Sequence, residues 1–169
     1  MCLLLSASTI LTAQTVPVND FFDESFGDLA EEISIAEEES KKALLIMFEL
    51  DECPFCHWMK QRVLNQKKVQ DYYKEHFRII TMDVEGDLEI VDLSGNETTQ
   101  KDFSLKQFRV RATPVFQFIG LDGLPIRGAR LTGKVKNADE FLLFGDYVLN
   151  GHSKTMAFSK YKRQANSKN

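Results

Sequence analysis

Two cysteines three positions apart are the residues of this sequence best suited to covalent chemistry. They lie in the stretch CPFCH, in which Cys53 and Cys56 enclose Pro54 and Phe55 and His57 follows directly. The C-x-x-C spacing is typical of a dithiol redox site, C-x-x-C-H is the pattern for covalent haem attachment, and either can form half of a zinc site. Three chemistries are therefore open at this motif.

The surrounding sequence favours thiol chemistry over a metal or haem. A structural zinc site needs four ligands, and beyond the motif the chain offers as histidines only His76 and His152, neither at zinc-finger spacing. If the motif attached haem, His57 would be the proximal ligand of the iron. An apolar strand leads into the motif, however, whereas the small haem-binding cytochromes are mainly helical. We therefore expect no metal and no cofactor. The favoured interpretation of His57 is a first-turn helical residue that tunes Cys56 when protonated.

The local sequence predicts that Cys53 lies at the start of a helix. Pro54 supports this prediction, because proline is favoured at the first helical position and disrupts an interior one. Unpaired N–H groups and the positive end of the helix dipole lower the pKa of a cysteine at that place. We therefore expect Cys53 to be the attacking thiol. Cys56, one turn inside the helix and less exposed, is expected to resolve the mixed disulfide by attacking the sulfur of Cys53.

An acidic rim precedes the motif and opposes this effect. Glu49, Asp51 and Glu52 lie within a few residues of Cys53, and like charges disfavour a thiolate. Exposed carboxylates are screened by salt, so we expect the two effects partly to cancel. The direction of electron flow is not predicted from these residues.

The apolar periodicity predicts the element order α-β-α-β-α-β-β-α. The elements are a helix over 26–42, a strand over 43–50, and a helix from residue 53 to about 64, whose pattern is interrupted at NQKK and resumes at Val69 and Tyr72. A strand over 77–84, a loop or small hairpin, and a short helix near 103–108 follow. The last elements are a strand from about 114, a hairpin turn at LDG with a fourth strand, and a closing helix over 138–149. Helices between the first strands require parallel crossovers, whereas the last two strands form a hairpin. The prediction is an α/β fold with a central four-stranded mixed sheet, helices on both faces and an N-terminal helical extension.

A strand leading into CPFC, followed by FRVRATPVFQF, LDG and Gly133 before a final helix, resembles the thioredoxin family over residues 42–148. The resemblance implies a thioredoxin fold and a thiol–disulfide oxidoreductase. It also implies that Pro114 is a cis proline facing the dithiol and that the backbone of Thr113 contacts an extended substrate. Pro54 and Phe55 complete the candidate substrate contacts, although Phe55 packed on Pro114 would give the same sequence pattern.

The longer loop over 83–103 and the ending DYVLNGHSKTMAFSKY are most similar to exported thioredoxins of the sulfur-oxidation, SoxW-like, group. Protein or small-molecule thiols and disulfides, together with a redox partner protein, are the partners that the resemblance implies.

Two helper residues of the family are missing. Thioredoxins usually place a buried acid six positions before the first cysteine, where this chain has Met47, and the lysine partner is absent from FRIITMDV. Proton transfer then falls to Glu49, to water or to the substrate. Glu52 replaces the usual tryptophan before Cys53. A second hypothesis is therefore a binding or chaperone-like module without turnover, and c-type haem attachment is a third. The intact CPFC opposite a Thr-Pro pair favours the enzyme.

The composition fits one globular domain. The chain has 169 residues, of which 43% are apolar, and its formal net charge of -4 gives no reason to expect a nucleic-acid partner. Its apolar start, which turns polar at Gln14, resembles a secretory signal and predicts a periplasmic or otherwise exported protein with no membrane span. We divide the chain into a signal remnant or disordered N-terminus (1–19), a thioredoxin-like domain (20–150) and a basic tail (151–169). A monomer is expected, with Phe158 and Tyr161 of the tail packed on the domain.

Overall fold

The computed structural model describes residues 14–167, and a four-stranded sheet lies at their centre. Within this range the strands are Ala43–Glu49 (β1), Phe77–Asp83 (β2), Glu89–Val91 (β3), Glu97–Thr99 (β4), Val115–Ile119 (β5) and Pro125–Thr132 (β6). The sheet has the order β2-β1-β5-β6; β1 is parallel to β2 and antiparallel to β5, and β5 is antiparallel to β6. The predicted mixed sheet with its terminal hairpin is confirmed.

Helices cover both faces of the sheet. They are Leu29–Glu38 (α1), Pro54–Met59 (α2), Lys67–His76 (α3), Gln100–Asp102 (α4), Ala138–Leu149 (α5) and Phe158–Asn166 (α6). π-Helical turns continue α2 over Lys60–Leu64 and α4 over Phe103–Gln107. Short 3-10 turns occupy Val18–Phe21 and His152–Lys154. None of the helices in the described part of the chain is long and apolar enough to cross a bilayer.

Strand β1 is buried on both faces, which explains its continuous apolar sequence. Because side chains alternate along a strand, its residues divide between two core clusters. Leu45 and Met47 belong to the cluster that contains both cysteines and residues of α2, α3 and α5. Ile46 and Phe48 belong to the cluster that contains residues of α1 and of the turn after α4. The sheet therefore separates a face that carries the cysteines from a face that does not.

One element differs from its predicted extent: the helix predicted over 26–42 is α1, which spans only Leu29–Glu38. Helix α1 begins at Leu29 rather than at residue 26, because the carboxylate of Asp28 caps it by accepting bonds from the N–H groups of Ala30 (2.9 Å) and Glu31 (3.0 Å). The polar segment after β2, predicted as a loop or small hairpin, forms the β3–β4 hairpin.

The two ends of the described chain lie against the domain. Near the N-terminus, the Val16 N–H donates to the Asn65 carbonyl at 2.7 Å. The basic tail contains α6, a helix not predicted from the sequence, and the predicted packing of Phe158 and Tyr161 is confirmed by their rings lying 5.3 and 5.4 Å from that of Tyr147. Residues 1–13, on which the predicted export signal falls, lie outside the described residues, and the boundaries at 20 and 150 stay predictions.

Candidate active site

The two cysteines of the motif form a disulfide at the start of α2. Cys53 is the N-cap residue and Cys56 lies in the first turn, with their Cα atoms 5.2 Å apart. That separation is ordinary for a disulfide. The exposed fraction is 5% for Cys53 and 1% for Cys56, so the sulfur predicted to attack belongs to the less buried residue. The predicted position of Cys53 at a helix N-terminus is confirmed.

The local sequence explains this placement. Cys53 has an extended backbone, and Pro54 occupies the first helical position, where a missing N–H leaves no bond unmade. The backbone N–H of Cys56 points at the sulfur of Cys53, with a nitrogen–sulfur distance of 3.0 Å. A donor at this position stabilises the thiolate of Cys53 once the disulfide is reduced.

Thr113 and Pro114 lie at the same end of the sheet as the disulfide. The peptide bond between them is cis, and Pro114 is buried directly before β5. Phe48 of β1 pairs with Val115 of β5 in an antiparallel register. The end of β1 that leads to Cys53 therefore lies beside the end of β5 that follows Pro114. The fold therefore brings residues 53–56 and 113–114, which are far apart in sequence, to the same end of the sheet.

A groove of about 610 Å³ runs beside Thr113. Its lining is mixed: it consists of the apolar Leu50, Val84, Leu105, Val110 and Ala112 together with the polar or charged Thr113, Glu85, Lys101 and Arg111. Thr113 itself is partly exposed. The groove is open to an extended chain that follows Thr113.

Phe55 is half exposed, and a lysine from a distant segment lies over it. The Lys134 ammonium lies 5.6 Å from the centre of the Phe55 ring and 4.6 Å from that of Trp58, within the range of a cation–π contact. The exposed fraction of Phe55 is 51%, which leaves one side of its ring open to a substrate. Lys134 follows Gly133, whose N–H donates to the Pro114 carbonyl at 2.8 Å. This segment therefore contacts both halves of the site, and its role was missed from the sequence.

Glu49 has two partners near the disulfide. Its carboxylate lies 2.6 Å from the Lys60 ammonium and accepts a bond from the Thr81 hydroxyl at 2.5 Å. Lys60 lies one helical turn after Cys56, whose carbonyl accepts a bond from the Lys60 N–H. Met47, where the family usually has an acid, is fully buried and on the cysteine-bearing face of β1. Lys60 was missed as a site residue, although its spacing from Cys56 places both on one helix face.

The remaining polar residues of the motif are exposed. Asp51, Glu52 and His57 are open to solvent, and the N–H of His57 donates to the Cys53 carbonyl at 3.0 Å. Across residues 14–167, no three side chains of His, Cys, Asp or Glu come together in a way that could hold a metal ion. The arrangement suits thiol–disulfide exchange, since it combines a sulfur at a helix start, a backbone donor to that sulfur and an adjacent groove.

Comparisons with known proteins agree with this geometry. Residues 29–149 match the family model described as Thioredoxin-like domain. A thioredoxin-fold protein from Helicobacter pylori has a TM-score of 0.64 and 18% identity, with 90% of this chain and 96% of that chain covered. A protein described as DsbH oxidoreductase has a TM-score of 0.59 and 15% identity, with 89% of this chain and 96% of that chain covered. A thioredoxin from Thermus thermophilus has a TM-score of 0.55 and 20% identity, with 75% of this chain and 88% of that chain covered.

A search of curated proteins found no match. At these identities the structural likenesses bear on the fold, and the predicted thioredoxin fold is confirmed.

Proposed function

Because the chain belongs to the thioredoxin-like domain family, we propose that it is a thiol–disulfide oxidoreductase that cycles Cys53 and Cys56 between dithiol and disulfide. The observation that carries this proposal is the disulfide at the start of α2, at the same sheet edge as Thr113 and Pro114. The candidate substrate contacts are Thr113 and Pro114 on one side of the disulfide and Pro54 and Phe55 on the other.

The reaction is a pair of thiolate displacements. The Cys53 thiolate attacks one sulfur of a substrate disulfide, so that a Cys53–substrate bond forms, the substrate disulfide breaks and the other substrate sulfur leaves as a thiolate. Cys56 then loses its proton and attacks the sulfur of Cys53, which releases the second substrate thiol. The substrate gains two electrons and the protein loses them; with a dithiol substrate and oxidised protein the same steps run in reverse. A partner dithiol or disulfide restores the starting state.

The second displacement needs an acceptor for the proton of Cys56. We assign that role to Glu49, because its carboxylate is held by Lys60 one helical turn from Cys56. Solvent access to Cys56 is minimal, since only 1% of the residue is exposed. A fixed carboxylate on the same face of the sheet is therefore better placed than bulk water to take the proton.

Trapping tests the proposal directly. A Cys56→Ser variant should hold a client protein on Cys53 as a mixed disulfide that thiols release, whereas Cys53→Ser should hold none. The wild-type protein should reduce insulin in the presence of a thiol, and either serine variant should lose that turnover. Non-reducing electrophoresis and mass spectrometry identify the trapped species.

The outcomes separate the competing functions. Full activity in the Cys53→Ser variant would refute the proposal. Absence of both turnover and trapped clients would favour the binding or chaperone-like module. A red purified protein with a haem absorbance band would favour covalent haem attachment through Cys53 and Cys56, with His57 as the proximal ligand.

We further propose that the protein is exported and that it belongs with the sulfur-oxidation, SoxW-like, thioredoxins. Support for export comes from the apolar residues before Gln14, and support for the group comes from the long segment between β2 and β5 together with the chain ending. The proposal of export is tested by determining the N-terminal sequence of the protein isolated from its own cells. Export with cleavage of the signal should remove the apolar residues before Gln14.

A further inference from the structure

A second concave surface lies next to the disulfide, and its charge is positive. This basic cleft has a volume of about 470 Å³ and is lined by Pro54, His57, Trp58, Gln61, Arg62, Lys136 and Asn137. Its lining includes two permanent cations and a histidine but not a single carboxylate. The volume is in the range of ordinary ligand sites.

The two cations that line the basic cleft, and Lys134 beside it, form no ion pairs within residues 14–167. Seven other lysine or arginine side chains of the described chain pair with carboxylates, but Arg62, Lys134 and Lys136 do not. All three are exposed. A concave surface lined by one sign of charge concentrates the field and attracts ligands of the opposite sign.

The nearest acids of α5 are already engaged. Asp139 pairs with Lys68 at 2.5 Å, and Glu140 pairs with Lys162 at 2.6 Å while accepting a bond from the Lys136 N–H at 2.9 Å. Burial raises the pKa of Glu140, but these bonds and the nearby charges of Lys162 and Lys136 outweigh it and hold the pKa below its ordinary value. Neither of these acids lines the cleft, and neither do Asp51 and Glu52, which are exposed just before Cys53, so a ligand from outside the chain can meet its positive charge.

Lys134 does not line the basic cleft, but it lies beside it, over the ring of the lining residue Trp58. The Lys134 ammonium lies 4.6 Å from the centre of the Trp58 ring and 5.6 Å from that of Phe55. Both rings belong to the turn of helix that carries the disulfide. A cation held over aromatic faces loses less freedom on binding an anion than a fully mobile lysine does.

We propose that the basic cleft binds acidic residues that flank the reacting cysteine of a protein substrate. The inference rests on the proposed oxidoreductase function. Pro54 lines the cleft and directly follows Cys53, so a substrate chain joined to the sulfur of Cys53 reaches the cleft within a few residues. In the other direction the chain meets the groove beside Thr113, whose lining includes five apolar side chains. The preferred substrate cysteine therefore has apolar residues on one side and Asp or Glu on the other.

Peptide disulfides measure this preference. The probes are synthetic peptides in which one cysteine is flanked, before or after it, by a run of Glu, Gln or Lys, with apolar residues on the opposite side. We expect the Glu peptide to have a KM roughly tenfold lower than the Gln peptide in one of the two orientations. The Lys peptide should have the highest KM, and the differences should shrink at high salt. Equal KM values for all three would overturn the inference.

Matched variants locate the effect. The triple variant Arg62→Gln, Lys134→Gln and Lys136→Gln should lose the preference for Glu peptides. Its control carries the same change of charge at three exposed cations that do not line the cleft, Lys154→Gln, Lys160→Gln and Arg163→Gln, and should keep it. A preference that persists in the first variant would exclude the basic cleft as its source.

A binding measurement separates this inference from the proposed function. In a Cys53→Ser, Cys56→Ser protein with peptides that carry Ser in place of Cys, no exchange takes place. Trp58 is the sole tryptophan of the chain, so its fluorescence reports occupancy of the cleft. Salt-sensitive binding of the Glu peptide without catalysis in the wild type would leave the cleft in place and refute the oxidoreductase. Catalysis with no preferential Glu-peptide binding would refute the cleft alone.

Discussion

Glu49 shows how a single side chain changes meaning once its partners are known. From the sequence it is one of three acids that crowd the motif and oppose a thiolate. In the structure its carboxylate bonds to Lys60 and Thr81, whereas Asp51 and Glu52 are exposed. Its charge is therefore compensated locally, and the alternation along β1 places it on the same face of the sheet as Leu45 and Met47, the face that carries the cysteines.

Replacing this carboxylate tests its proposed role in proton transfer. In a Glu49→Gln variant we expect the second displacement, by Cys56, to slow on the order of 100-fold near neutral pH, because an amide cannot accept the proton. The first displacement, by Cys53, should change much less. Stopped-flow measurement of each step against pH should show the two proteins converging at high pH, where the thiol ionises without help.

The matched control is Glu31→Gln. Glu31 is an exposed acid of α1, the helix that packs on the face of the sheet without the cysteines. It should leave both steps and their pH profiles unchanged. Coincident pH profiles for wild type and the Glu49→Gln variant would remove Glu49 from the mechanism.

At the scale of elements, the β3–β4 hairpin depends on one buried carboxylate. The Oδ1 atom of Asp92 accepts bonds from the N–H groups of Ser94 (2.8 Å) and Asn96 (2.9 Å), and its Oδ2 accepts one from the Gln107 amide at 2.6 Å. The hairpin turn is thereby tied to the helix that follows it. Burial raises the pKa of Asp92, but these hydrogen bonds outweigh it and lower the pKa below its ordinary value.

An Asp92→Asn variant should unfold more easily, with a loss of about 1 to 3 kcal/mol near neutral pH, because one acceptor becomes a donor that faces donors. Since the folded pKa is lowered, the contribution is fully present above the unfolded value near 4 and is lost as pH falls through the folded value. The difference between wild type and variant should therefore shrink in acid. Denaturant unfolding at neutral and acidic pH measures it.

The exposed Asp87, from the same segment, provides the comparison. Asp87→Asn should leave the unfolding free energy almost unchanged at either pH. A difference for Asp92→Asn that is independent of pH would mean that its ionised form does not hold the hairpin.

At the scale of the whole molecule, α3 and α5 share the face of the sheet that carries the disulfide. They meet at Gly145 of α5, where an added Cβ would lie 2.7 Å from Cε1 of Tyr72 and 3.1 Å from Cζ of Tyr73. Tyr73 cannot readily move away, because its ring stacks on Phe141 at 4.4 Å and its hydroxyl donates to the Phe141 carbonyl. The absence of a side chain at Gly145 is thus a requirement of the packing.

We expect Gly145→Ala to lower the unfolding free energy by about 1 to 3 kcal/mol through overpacking. In an exposed helix the same change would instead stabilise by roughly 1 kcal/mol. Thermal or denaturant unfolding followed by circular dichroism measures the loss. Adding Tyr72→Leu to this variant removes the nearest clash and should recover part of the lost unfolding free energy. A Gly145→Ala protein as stable as the wild type would show that α3 and α5 are not tightly packed at this position.

Local features of the chain were sufficient for most of the architecture. Periodicity indicated the buried strands and the closing helix, and Pro54 indicated that Cys53 starts a helix, because these signals depend on residues within one or two turns of each other. The same local rules missed α6, whose Phe158 packs on Phe144 and Tyr147 of α5, far from it in sequence spacing. They also began α1 too early, since the cap at Asp28 was not recognised.

The candidate cysteines and the Thr-Pro pair were visible in the sequence because their types and spacing carry the chemistry. Only the tertiary structure decided three other features of the site. They are the placement of Lys60 beside Glu49, the placement of Lys134 over Trp58, and the absence of acids from the lining of the basic cleft. Apart from the helix spacing of Lys60 from Cys56, these contacts join residues from different elements, and strand register and helix packing set their distances. Those quantities are properties of the assembled chain, because each depends on how every layer of the core packs against the next.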